Sequence, residues 1–190
     1  IDLLSISSHK IHGPKGVGAL FLRDRVRIEP LFQGGGQESG VRSGTENLPG
    51  IVGFGIAAEK VFSDENRCSA MKRLRERLID GVLREIPEVV VNSPISGVAP
   101  HITNISFLGI RGEILLHSLE ARGIYASTGS ACSSHKIGKS HVLMAQGKSS
   151  QEIDGALRFS LSPSNTQEDI DYTVEVLKSE VANIRKTLRR

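Results

Sequence analysis

Ser7-Ser8-His9-Lys10-Ile11-His12-Gly13-Pro14-Lys15-Gly16 joins one apolar run, Ile1 to Ile6, to another, Gly16 to Leu22. Both runs read as strands, and Gly-Pro-Lys-Gly marks a sharp turn between them. Just before the turn the first strand delivers two hydroxyls, an imidazole and a primary amine. Hydroxyl and imidazole groups hold an anion, and a lysine amine forms a Schiff base with a carbonyl. An ordinary surface lysine fits the stretch equally well, so the ten residues alone leave both readings open.

The following residues enlarge the strand pair. Residues 24–29 read as an exposed link. Gln33 to Asn47 then runs Gln-Gly-Gly-Gly-Gln-Glu-Ser-Gly-Val-Arg-Ser-Gly-Thr-Glu-Asn, with five glycines and no apolar period. Its mixture of Arg, Thr, Gln and Glu favours a functional loop over a plain linker, with backbone approaching a ligand or another chain. Pro49 to Val61 is apolar and reads as a buried helix, weakened by three glycines. Residues 1–62 are therefore expected to be the C-terminal part of a larger α/β domain. A strand that reads as core from Ile1 onward needs covering layers, which implies a preceding segment or another chain.

Residues 63–190 read as a small α+β domain. Residues 64–86 form an amphipathic helix with Met71, Leu74, Leu78, Ile79, Val82, Leu83 and Ile86 on one face. Strands are expected at 88–92, 101–107, 124–127 and 156–161. Between them lie a helix at 111–121, with Ile114, Leu115 and Leu119 inward, and a brief helix or turn at 142–146. A short helix follows, capped by Ser149 or Ser150. Thr166 and Asp169 open the last helix in the manner of a capping box, and Ile170, Val174, Leu177, Val181, Ile184 and Leu188 recur at spacings of three and four.

Composition narrows the function. Net charge is +3 over 190 residues. The basic residues of 67–84 and of the C-terminus alternate with acidic and apolar ones, as on solvated helix faces, so direct nucleic-acid binding is not expected. Aromatic residues make up 4% and Trp is absent, which leaves no base-stacking platform. No stretch reads as a signal peptide or membrane span. The two cysteines, Cys68 and Cys132, belong to no metal-spaced cluster, so no metal site is expected. Cys68 reads as an incidental, half-buried thiol.

Cys132 differs. It sits in Gly129-Ser130-Ala131-Cys132-Ser133-Ser134, where small polar neighbours leave a thiol exposed, and His135, Lys136 and Lys139 favour its thiolate. It reads as a nucleophile or as a free surface cysteine. Arg158 interrupts the apolar strand Ala156 to Leu161. It suits a carboxylate ligand or a structural ion pair. Taken together, a lysine with phosphate donors suggests pyridoxal phosphate, the arginine suggests an amino-acid carboxylate, and the thiol suggests sulfur as the group transferred.

Four segments in order, Ser-Ser-His-Lys-Ile-His-Gly-Pro-Lys-Gly, Gly-Gly-Gly-Gln-Glu…Arg-Ser-Gly-Thr-Glu-Asn, Gly-Ser-Ala-Cys-Ser-Ser and Leu-Arg-Phe-Ser-Leu, resemble the NifS/IscS-type cysteine desulfurases of the class V aminotransferase family. These are fold-type I pyridoxal-phosphate enzymes, and the resemblance runs over essentially the whole chain. It implies that Lys10 carries pyridoxal 5'-phosphate as a Schiff base and that Ser7 and His9 hold the cofactor phosphate. Thr45 matches a phosphate ligand that the family donates across a homodimer. Cys132 matches the nucleophile that becomes a persulfide, and Arg158 the ligand of the substrate carboxylate. L-Cysteine is the implied substrate, L-alanine the product and a sulfur-acceptor protein of iron–sulfur cluster assembly or tRNA thiolation the partner. The two lone cysteines, which make no disulfide framework, leave a reducing, cytoplasmic location as the default expectation. The family's preceding half, with an aspartate at the pyridine nitrogen and a histidine stacked on the ring, is not in this sequence, so activity is expected only with that N-terminal half. Two alternatives are a selenocysteine lyase and a catalytically incomplete half-chain.

Overall fold

The two-stranded and three-stranded pairings of this chain lie in separate compact units, Ile1–Glu65 and Asn66–Arg190, in a computed structural model that describes residues 1–94, 96–129 and 140–188. In the first unit, β1 (Leu3–Ser7) and β2 (Gly18–Leu22) pair antiparallel, with Leu3 opposite Leu22 and Ser7 opposite Gly18. A 3-10 turn, Ser8–Ile11, leaves the end of β1, and α1 (Leu48–Ser63) closes the unit. Asn47 caps α1 by accepting from the Gly50 N–H at 3.2 Å, and Pro49 occupies its first turn.

The apolar character of this unit is not matched by burial. Leu3, Leu4 and Ile6 are 50%, 44% and 41% exposed, and Leu20 and Phe21 on the paired strand are 49% and 50% exposed. Consecutive strand residues face opposite sides, so both faces of the ribbon are bare and apolar. The helix expected to be buried shows Ile51, Val52 and Ile56 exposed, with only Gly50 and Ala57 buried. Covering such side chains is worth roughly 1.5–3 kcal/mol each when complete, and an isolated hairpin is marginal in water. The sequence is patterned for an interior that this chain does not itself fill.

The second unit encloses its own core. β3 (Val89–Val91), β4 (Ile102–Phe107) and β5 (Ala156–Ser160) form an antiparallel sheet in that order. The helices α2 (Arg67–Glu85), α3 (Gly112–Glu120) and α6 (Gln167–Leu188) supply Leu78, Val82, Leu115, Leu119, Ile170, Val174, Leu177 and Val181 to one hydrophobic cluster with Ile105, Phe107, Leu157 and Phe159. α4 (His141–Ala145) and α5 (Ser150–Asp154) are short. Ser149 and Glu152 make a full capping box on α5. Thr166 and Asp169 exchange bonds of 3.2 and 3.0 Å at the start of α6.

Some expected positions differ. Residues 124–127 form no strand: Ser127 makes only an isolated bridge to Arg158. Leu83, Ile114 and Leu188 face outward at 53%, 42% and 58% exposure, because each sits at the flank or end of its helical stripe. Cys68 is exposed, not half-buried, at the first turn of α2. Among the described residues no helix is long and apolar enough to cross a membrane.

Gly155 joins α5 to β5 where no side chain fits. A Cβ there would meet the carbonyl oxygen of Phe107, and the Phe107 N–H donating to Gly155 O at 3.0 Å ties the two backbones together. Gly155→Ala is expected to lower the thermal midpoint, by about 1–3 kcal/mol of stability. A melt with the wild-type midpoint would show that the strand entry adapts freely.

Candidate functional site

Ser8 is the pivot of the lysine turn. It is fully buried; its N–H donates to Val17 O at 3.1 Å, and its carbonyl accepts from Gly13 N–H at 3.0 Å. The His12 N–H reaches the same carbonyl, with His12 in the left-handed region at φ 65°. Gly13 has no side chain because one would collide with Ser8 Oγ, and it packs on Ala57 of α1. Gly53 leaves the space into which Pro14 fits. The glycines that weakened the helix reading thus include one that seats the turn. Around this pivot Ser7, His9 and Lys10 are all exposed. Among the described residues Lys10 has no ion-pair partner.

The Gly-rich loop has a defined course. Gln37 Oε1 accepts from Gly44 N–H at 3.0 Å, tying two positions seven residues apart within the loop, and Arg42 donates to Ser43 O at 2.8 Å. The Arg42 guanidinium lies 5.3 Å from the centre of the Phe32 ring. Glu38 and Ser39 both take left-handed backbone, at φ 51° and 56°. Two consecutive non-glycine residues in that region store strain, which functional loops do more often than linkers. Thr45 stands exposed two residues before the Asn47 cap.

Arg158 belongs to the second unit. Asn104 lies directly opposite it on β4. Ser127 exchanges two backbone hydrogen bonds with Arg158, at 3.1 and 2.7 Å. Arg158 Nη2 donates to Ser127 Oγ at 3.4 Å, while the buried Nε has no partner. Among the described residues no carboxylate pairs with this guanidinium. A half-buried arginine without a counter-ion is prepared for an anion. Cys132 and the rest of 130–139 lie outside the described residues. Ser127, five positions before Cys132 in sequence, is fastened to the sheet by its backbone bonds to Arg158.

The sequence reading missed Ser8, Ser127 and Asn104. Ser8 differs from Ser7 only in direction, and Ser127 and Asn104 gain their meaning from strand register. Alternation in Ile102 to Phe107 placed Asn104 on the polar side, the one signal available.

The donor set of the first unit suits pyridoxal phosphate: a hydroxyl, an imidazole and an amine within four residues, over a turn held from beneath. Residues 1–173 match the family model described as aminotransferase class-V. The chain is 50% identical over 182 residues to "Cysteine desulfurase IscS" of Clostridium botulinum (strain Hall), covering 93% of this chain and 45% of the relative. It is 48% identical over 187 residues to "Cysteine desulfurase IscS 1" of Archaeoglobus fulgidus, covering 97% and 48%. Among solved structures, one titled "NIFS-LIKE PROTEIN" matches with a TM-score of 0.86 at 37% identity, over 96% of this chain and 47% of that one. The NifS-like protein from Rickettsia africae matches with a TM-score of 0.82 at 33% identity, over 97% and 48%. The chain spans about half the length of the relatives it matches.

Proposed function

The chain belongs to the class V aminotransferase family, and on that premise we propose that it is the C-terminal portion of a pyridoxal-phosphate-dependent cysteine desulfurase. The observation that carries this reading is the turn built on buried Ser8, which holds Ser7, His9 and Lys10 outward together. The bare ribbon faces support a preceding half that covers them, and activity requires that half.

Each residue has a role in this reading. Ser7 and His9 hold the cofactor phosphate, and Thr45 reaches the phosphate of the other subunit in a homodimer. Lys10 tethers the cofactor and moves protons at the reacting carbon. Arg158 grips the carboxylate of L-cysteine and aims its Sγ. Pyridoxal phosphate, when bound, supplies the electron sink. The Cys132 thiolate attacks the substrate Sγ: an S–S bond forms, the Cβ–Sγ bond breaks, and the bonding pair stays with carbon, which takes a proton to give L-alanine. Cys132 is left as a persulfide, and the terminal sulfur passes to an acceptor thiol in iron–sulfur or tRNA-thiolation chemistry. A cytoplasmic, reducing location belongs to the same reading.

The test is to assemble this chain with its N-terminal half and compare L-cysteine with L-selenocysteine. Yellow cofactor absorbance and alanine from L-cysteine are expected. A folded assembly that binds no cofactor, or one that turns over only selenocysteine, overturns the assignment.

A further inference from the structure

The sheet of the second unit has two unlike faces. One carries the hydrophobic cluster, and the other carries Asn104, Ser106 and Arg158, with Asn92 just beyond β3. Ser106 is fully buried and Asn92 nearly so.

Their hydrogen bonds run in a fixed order. Ser106 Oγ donates to the carbonyl oxygen of Glu152 at 2.6 Å. That carbonyl is only an acceptor, so the single hydroxyl proton is used there, and Ser106 Oγ must accept from its other neighbour. The neighbour is Asn92, whose Nδ2 lies 2.6 Å away. Asn92 therefore presents its amide nitrogen to this side, and its second proton goes to Asn104 Oδ1 at 2.7 Å. Asn104 is thereby oriented: its oxygen is engaged with Asn92, and its own NH2 is left over.

That NH2 has no partner among the described residues, and it is not among the buried atoms that lack one. Asn104 is half-buried, so among the described residues this NH2 is left to donate to a ligand. Asn104 is the cross-strand partner of Arg158, so the two side chains leave the same face of the sheet as nearest neighbours. Arg158 offers a second set of donors, with one weak bond to Ser127. Two adjacent donors, with no carboxylate between them among the described residues, suit one ligand, an anion with two oxygens.

We propose that Asn104 is a second ligand of the substrate carboxylate, its amide NH2 bonding one oxygen beside the Arg158 guanidinium. The inference rests on the cysteine desulfurase reading above. Asn92, Ser106 and Glu152 act only through Asn104, by denying it the orientation in which its oxygen would face Arg158.

The experiment uses the assembled holoenzyme, with Arg158→Ala, Asn104→Ala and Asn104→Asp. The readouts are L-alanine affinity by calorimetry and KM and kcat for L-cysteine. Asn104→Ala is expected to weaken L-alanine binding and raise KM about tenfold, with kcat within about threefold and cofactor absorbance unchanged. Asn104→Asp, isosteric and still able to accept from Asn92, is expected to weaken binding further, because its carboxylate occupies Arg158 itself. It carries the test should Asn104→Ala fail to fold. If Arg158→Ala weakens L-alanine binding while both Asn104 variants bind as the parent does, the role of Asn104 is overturned alone. If none of the three variants weakens it, the carboxylate site on Arg158 is overturned as well.

Discussion

Lys10→Ala in the assembled enzyme is expected to remove the yellow absorbance and to lower alanine formation by ~10³-fold or more. In the proposed function, the substitution deletes both the covalent tether and the base at the reacting carbon. Nothing in the turn replaces it. His9 is fixed by the same 3-10 turn but has no amine, and Lys15 stands on the far side of Gly13-Pro14. The turn itself should survive, because its anchors are the buried Ser8, the Ser8 carbonyl and Gly13, none of which involves the lysine side chain. Lys10→Ala is therefore expected to melt close to the parent. Retained yellow colour and activity would remove Lys10 from the chemistry.

Cys132→Ser is expected to separate binding from transfer. Cofactor absorbance and L-alanine affinity should match the parent, while sulfur transfer falls by ~10³-fold or more, since a serine hydroxyl at neutral pH is neither ionised nor able to carry a sulfur atom as a persulfide. Persistent sulfide release from Cys132→Ser would mean that another thiol takes the sulfur. Cys68 is the one other cysteine, exposed on α2.

The two halves of the chain differ in how far the sequence foretold them. α2 and α6 were legible because their stripes pack against their own unit, so periodicity and burial agree. β1 was legible as an apolar strand in need of outside cover, whereas α1 was legible as apolar but not as exposed, since local pattern reports the interior a segment was shaped for. Residues 124–127 misled because four apolar or small residues imply a strand whose partner is set only by tertiary register. Among the candidate residues, Lys10, Cys132 and Arg158 stood out by residue type and context, and Ser7, His9 and Thr45 by the family resemblance. Asn104 did not. Its significance arises from lying opposite Arg158, fifty-four positions away in sequence, and from a hydrogen-bond order that starts at a carbonyl in α5.

The most direct measurement is the mass of the peptide containing Cys132 after the assembled enzyme meets L-cysteine without reductant. The account predicts one added sulfur atom on Cys132 and one L-alanine for each persulfide formed. Alanine released while the Cys132 peptide stays unmodified would contradict it.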